Sequence, residues 1–339
     1  MLMHMHRLGP RITNIVKRRR PSHHLRPAST STSAASIECD RLVKQYDYEN
    51  YLCSLFLDSK ARTSILALRA YNVELATVRD AARNNALTGR IRFQFWRDTL
   101  DSAYSSSSGV EATSGLNPIG RSLYDAIQGH GLKKRWLSRL LVAREKELEN
   151  EELSDIGDYE EYAEAVGSSL MYLSLQCHNI YETEKDAMGI AGGMSDEKGY
   201  IAAGHVGRTI GMVTLLRSIP FTAENSQRFT LPFWVMSRHG VKREDFQLGV
   251  CTPAMRDCVL EAATAANNQL LDAQKMQEDG EISPSVARVL LPAALAQDYL
   301  TRLEEADFDI FHPSLMRSKW QNVKLMMHLY KLQSQERIV

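Results

Sequence analysis

An all-α fold is predicted, a single helical bundle over residues 37–339, and three features of the chain predict it. Apolar side chains recur at steps of three and four along most of its length. Strand-like alternation is rare. The stretch 251–276 is Ala-rich and strongly helix-forming. Taken in order, Leu68, Tyr71, Leu75, Val78 and Ala82 form an apolar stripe down one helix. Phe93, Trp96 and Leu100 continue it in the next. Leu123 and Ile127, then Trp136, Leu140 and Val142, suggest an antiparallel pair. Further helices are expected over 159–177, 201–219, 251–276, 286–303 and 320–332. Three loops punctuate them: a Ser/Gly-rich one at 105–118, a Gly-rich surface insertion at 181–199, and a connection at 220–232.

The chain has 339 residues, and 44% hydrophobic content is ample for a core. Formal charge is zero but uneven. Residues 1–37 carry seven Lys or Arg and no carboxylate, which leaves 34 basic against 41 acidic residues, or −7, for the rest. That acidic body argues against nucleic acid as a partner. The segment 1–36 is basic, acid-free and Ser/Thr/Ala-rich, with no continuous apolar core; this is the composition of a mitochondrial transit peptide. Cys39, Cys53, Cys177, Cys251 and Cys258 form no CxxC pair, so free buried thiols in a reducing compartment are expected. No apolar run reaches membrane-spanning length. If the protein meets a membrane, it lies on it or binds something in it.

Gly204, Gly207 and Gly211 lack the spacing and lysine of a phosphate loop, and small residues at such steps let two helices approach closely. Asp307, Asp309 and His312 are the nearest approach to a metal-ligand cluster, and turn or capping roles are expected for them. No GxSxG elbow occurs. The charge-rich 144–152 and 159–165 read as solvated helix faces.

Four segments then fall into a known order. GRIRFQFWRDTLDSAY, YAEAVGSSLMYLSL (Tyr162, Ala163, Val166, Gly167, Ser168), GRTIGMVTLLRS (Gly207, Arg217) and QRFTLPFWVMSRHGV (Arg228, Leu231, Pro232, Gly240) resemble the squalene/phytoene synthase family. ARTSILALRAYNVELATVRDA, the KRWL string and DFDIFHPSL resemble a branch of it that assists respiratory complex I assembly.

The resemblance implies the isoprenoid synthase fold. In that family two facing helices each carry carboxylates about one turn apart, and these hold Mg²⁺ against a leaving diphosphate. Here the leading positions of the first motif are Ala76 and Thr77, and only Asp80 remains; Glu74 is on another face. Ser218 and Thr222 stand where the second motif has carboxylates, and Gly211 and Thr214 fill its usual Gln and Asn positions. Arg69, Arg208 and Arg217 could hold a phosphate but would not supply a metal's Lewis acidity.

No catalytic, metal-binding or cofactor residue is therefore expected. A vestigial pocket is expected at Tyr71, Asn72, Asp80, Gly167, Gly211, Thr214 and Arg217. A core role for Tyr71, helix contacts for Gly167 and Gly211, and a buried Asp80–Arg217 ion pair remain open beside it. The resemblance implies a non-catalytic assembly factor, partnered by complex I subunits and assembly intermediates. It would act early on the membrane arm, in peripheral contact with the matrix side of the mitochondrial inner membrane. The alternatives are a divergent Mg-dependent prenyl transferase, which would condense isoprenyl diphosphates, and an isoprenoid or lipid carrier.

Overall fold

A computed structural model describes residues 34–82, 85–105, 113, 115–149, 153–225, 230–316 and 319–339. Its helices are α1 (Ala34–Tyr46), α2 (Tyr48–Ser54), α3 (Ser59–Ala82), α4 (Ala86–Ala103), α5 (Pro118–His130), α6 (Lys134–Lys146) and α7 (Ile156–Ala163). A five-residue π-helical turn, Glu164–Ser168, leads straight into α8 (Ser169–Cys177). After β1 (Ile180–Tyr181), α9 (Glu184–Ala187) and β2 (Met194–Ser195) come α10 (Glu197–Asn225), α11 (Phe233–His239), α12 (Arg243–Gln247) and α13 (Pro253–Glu278). The chain closes with α14 (Pro284–Val289), α15 (Ala293–Glu305) and α16 (Lys319–Gln335).

The helix starts are chemically marked. Asn117, Thr252 and Ser283 each accept a hydrogen bond from a first-turn amide and are each followed by a proline at the first helical position. Gly131 ends α5 in the left-handed region, φ 57°, where a Cβ would be strained.

Among the described residues a small apolar cluster lies under α16 and two large ones fill the bundle. One joins α1, α3, α4, α5, α6 and α8 around Tyr71, Phe93, Trp96 and Leu137. The other joins α10, α11, α13 and α15 around Tyr159, Met212 and Leu216. Buried tyrosines tie helices across them: the Tyr71 hydroxyl donates to Leu137 O (3.2 Å) and that of Tyr159 to Met212 O (2.9 Å).

Helix α10 is the hub, packing on α7, the π turn, α8, α13 and α15. Its glycine row permits this. A Cβ on Gly167 would lie 2.0 Å from Gly207 O, one on Gly207 would lie 2.2 Å from Ser168 Cα, and one on Gly211 would lie 2.6 Å from Ala163 Cα. The two backbones are in contact, and Ser168 Oγ donates to Gly204 O (2.8 Å) across the seam. Close helix approach, not phosphate binding, explains these glycines.

Almost all of the leader expected over residues 1–36 lies outside the described residues, which start with α1 at Ala34; so do Arg228 and most of the 105–118 loop. Two expectations about the helices change. Helix α10 runs through Pro220 to Asn225: a proline forfeits one backbone hydrogen bond, a loss the long buried helix before it outweighs. The 286–303 helix is two helices, broken between Val289 and Ala293 ahead of the proline at 292. The 181–199 insertion lies mostly at the surface, as expected, and is anchored by a short parallel pairing of β1 and β2, Ile180 opposite Met194, with Tyr181 buried and its hydroxyl on His130 O.

Candidate functional site

The motif resemblance aligns α3 and α10 with the family's two ligand-bearing helices. On both, the hydroxyls that stand in carboxylate positions are turned back on their own backbone. Thr77 Oγ1 donates to Val73 O (2.9 Å), Ser218 Oγ to Leu215 O (2.7 Å), and Thr222 Oγ1 to Ser218 O (3.2 Å). Thr214, in the Asn position, donates to Ile210 O (2.7 Å). These bonds are local to each helix and aim no oxygen at a shared ion. Glu74 is half-buried, and burial raises its carboxyl above the usual range, which disfavours the anionic form a divalent ion needs. No group of three or more His, Cys, Asp or Glu suited to a metal ion exists among the described residues.

The arginines are also occupied. Arg69 is buried and faces Asp47 at 3.5 Å. Arg208 donates to Gln269 Oε1 (2.7 Å) and Glu164 (3.2 Å). Arg217 pairs with Glu49 of α2 (2.7 Å) and lies over the Tyr299 ring at 5.7 Å. A diphosphate would have to displace a carboxylate from each of them.

An Asp80–Arg217 pair is not formed. Asp80 lies exposed near the end of α3, and Arg217, 42% exposed along its side chain, takes Glu49 instead. The residue α2 contributes could not be found by aligning two motifs, because α2 belongs to neither. The pair is open on the arginine side and sheltered on the other, where Glu49 is 14% exposed along its side chain; it is worth about 1 kcal/mol, the top of the range for surface pairs. Arg217→Ala is therefore expected to move the melting temperature by no more than about 4 °C, and Asp80→Asn not measurably; thermal scans of both variants check this.

Of the other expected pocket residues, Tyr71 is fully buried in edge contact with Trp96 (centroids 5.1 Å apart). Asn72 is half-buried with Oδ1 lacking a hydrogen-bond partner. Thr214 is exposed. Gly167 and Gly211 are brought together at the α10 seam; a Cβ on Gly167 would lie 3.1 Å from Gly211 N.

A cavity of about 430 Å³ lies elsewhere, between α6 and α7. One face of α6 lines it with Arg135, Ser138, Arg139, Val142 and Lys146, and the opposite wall is Asp158, Glu161, Tyr162 and Ala165. None of the seven expected residues lines it. Beside it Arg144 donates to Glu147 (3.0 Å) and to Tyr162 Oη (2.8 Å), while Tyr162 also bonds Glu147. Arg144 and Glu147 are thus not part of a solvated face, as their charges suggest: Glu147 is only 9% exposed. The i, i+3 Arg–Glu spacing held that signal. The lining is amphipathic and balanced in charge, which fits an amphipathic partner better than a metal–diphosphate cluster.

In the 307–312 segment, Asp307 and Asp309 (3.7 Å) both face Arg256, and His312 Nδ1 accepts from Ser314 N (3.3 Å). Turn and capping roles account for all three.

Comparison with known proteins agrees with this geometry. The Squalene/phytoene synthase family model matches residues 43–324. NADH dehydrogenase (ubiquinone) complex I, assembly factor 6 of Bos taurus is 35% identical over 292 residues, 86% of this chain and 80% of that protein. Its Homo sapiens counterpart is 34% identical over the same shares. Among solved structures, a dehydrosqualene synthase superposes with TM-score 0.69 at 17% identity, covering 89% of this chain and 97% of that one. The chain belongs to the squalene/phytoene synthase family, and within it to the group of the complex I assembly factor 6 proteins.

Proposed function

We propose that the protein is a non-catalytic factor for assembly of respiratory complex I. It acts in mitochondria, early on the membrane arm, and contacts the matrix face of the inner membrane peripherally. Its likeness to the assembly factor 6 proteins supports the assignment to complex I. One observation carries the non-catalytic part: the hydroxyls in the old carboxylate positions are bonded to their own helices. Ionising an allylic diphosphate places multiple negative charges on the leaving group, and neutralising them is the central electrostatic demand of that reaction. A prenyl transferase reading has the fold in its favour and, of the expected carboxylates, only Asp80.

The seven positions around Tyr71 and Arg217 mark, in this reading, the wall of a disused substrate site. Partner binding falls to surfaces such as the α6–α7 cavity, whose mixed lining suits an amphipathic segment. Affinity capture from mitochondria followed by proteomics tests this. Complex I subunits and assembly intermediates are expected in the bound fraction, and their absence would overturn the reading. The basic, acid-free leader, residues 1–36, serves import in this account, because its composition is that of a mitochondrial transit peptide. Removing it is expected to block entry into the matrix while leaving the far-ultraviolet circular dichroism of the purified body helical. Matrix entry of the truncated chain would refute the targeting role.

A further inference from the structure

Helix α16 is apolar on two opposite faces. Leu325, Leu329 and Leu332 are buried against Leu52, Leu291 and Leu295, which fixes the helix to the body. The other face is bare: Trp320 is 80% exposed, Val323 50%, Met327 70% and Tyr330 66%. Their steps of three, four and three put them on one stripe, about 180° from the leucines at about 100° per residue. Burying the leucines explains why the helix docks; it does not explain why the outer face is apolar. A stripe of this kind with a tryptophan near one end and a tyrosine near the other marks an interaction site.

Charge says what covers it. From Met316 to Gln335 there is no Asp or Glu, and exposed Lys324 and Lys331 flank the stripe. Residues 38–315, by contrast, hold 29 basic and 40 acidic side chains, a net −11. An anionic surface would repel that body everywhere except at a locally basic patch. Lysines beside an exposed stripe with Trp and Tyr are the pattern of a helix lying in a bilayer interface, apolar face down and ammonium groups at the headgroups. No helix among the described residues is long and apolar enough to cross a membrane, which leaves surface docking as the mode.

We propose that α16 seats the protein on an anionic lipid bilayer, with Trp320, Met327 and Tyr330 in the interface and Lys324 and Lys331 at the lipid phosphates. This deepens the peripheral-contact reading above and rests on it.

The test uses the full chain and vesicles of phosphatidylcholine and phosphatidylglycerol in a two-to-one mixture, with pure phosphatidylcholine beside them. Wild type is expected to float with the anionic vesicles. The pair Trp320→Ser/Met327→Ser and the pair Lys324→Glu/Lys331→Glu are each expected to weaken binding about ten-fold. Both pairs change exposed positions, and circular dichroism confirms the fold. Because the basic N-terminal segment adds its own attraction to anionic lipid, depth is read separately. Brominated lipid should quench the part of the emission that Trp320→Phe removes.

Wild-type binding that survives both double variants, with Trp320 emission unquenched, overturns the role of α16 and leaves membrane contact standing. Failure of wild type to bind either vesicle overturns membrane contact itself. A dimer in solution that Trp320→Ser dissolves, with Trp320 unquenched by lipid, assigns the stripe to a second copy and overturns the proposal.

Discussion

Replacing Gly207 with alanine is expected to cost the protein much of its stability. The new Cβ would sit 2.2 Å from Ser168 Cα and 2.4 Å from Ser168 N. Those are backbone atoms of the π turn, so no side chain can rotate away. Gly167 on one side and Gly211 on the other are equally tight, 2.0 Å and 2.6 Å from backbone atoms, so sliding α10 along the seam relieves one contact by worsening another. Overpacking of this kind costs about 3 kcal/mol or more, which for a domain of this size lowers the melting temperature by about 6–12 °C. The matched control is Gly129→Ala in α5, where a Cβ meets open space and greater helix propensity makes the change neutral or mildly stabilising. Thermal scans of the two variants check both signs. A Gly207→Ala melting point within about 2 °C of wild type would mean that α10 and the π turn do not touch.

The second large effect is expected in cells. Loss of the chain should deplete assembled complex I, and re-expression should restore it. Asp80→Asn should restore it as fully as wild type, because the last carboxylate of the first motif is exposed and does not hold Arg217. Gly207→Ala should restore it poorly, in proportion to the folded protein that remains. Native-gel activity staining of mitochondria from the four lines reads all of this. A soluble, normally abundant Asp80→Asn protein that left complex I missing would show that this carboxylate does work the account denies it.

The fold was legible because its information is local. Steps of three and four in Leu68–Tyr71–Leu75–Val78 report one face of one helix, and that face is buried in α3. The glycine row was legible for the same reason: close approach needs small residues at helical spacing, and Gly204, Gly207 and Gly211 show it. Pro220 misled because the rule that prolines end helices is a cost of about 3 kcal/mol. The buried length of α10 outweighs that cost.

At the candidate site the sequence names the residues that the resemblance aligns with carboxylates, Ala76, Thr77, Ser218 and Thr222, but not what each side chain bonds. Which acid takes Arg217 is likewise not readable, because Glu49 is 168 residues away on a helix that carries no motif. The α6–α7 cavity and the Arg144–Glu147–Tyr162 cluster were hidden for a related reason. A charge-rich helix face looks solvated until the neighbouring helix is placed against it. The exposed face of α16 was likewise invisible, since a helix apolar on two sides reads as merely buried.

The account's central claim is that this family member works without metal-dependent chemistry. The most direct measurement incubates the purified protein with farnesyl or geranylgeranyl diphosphate and Mg²⁺ and looks for condensed product and released diphosphate. No product above the protein-free control is predicted. Product that forms with wild type and vanishes with Asp80→Asn would contradict the claim.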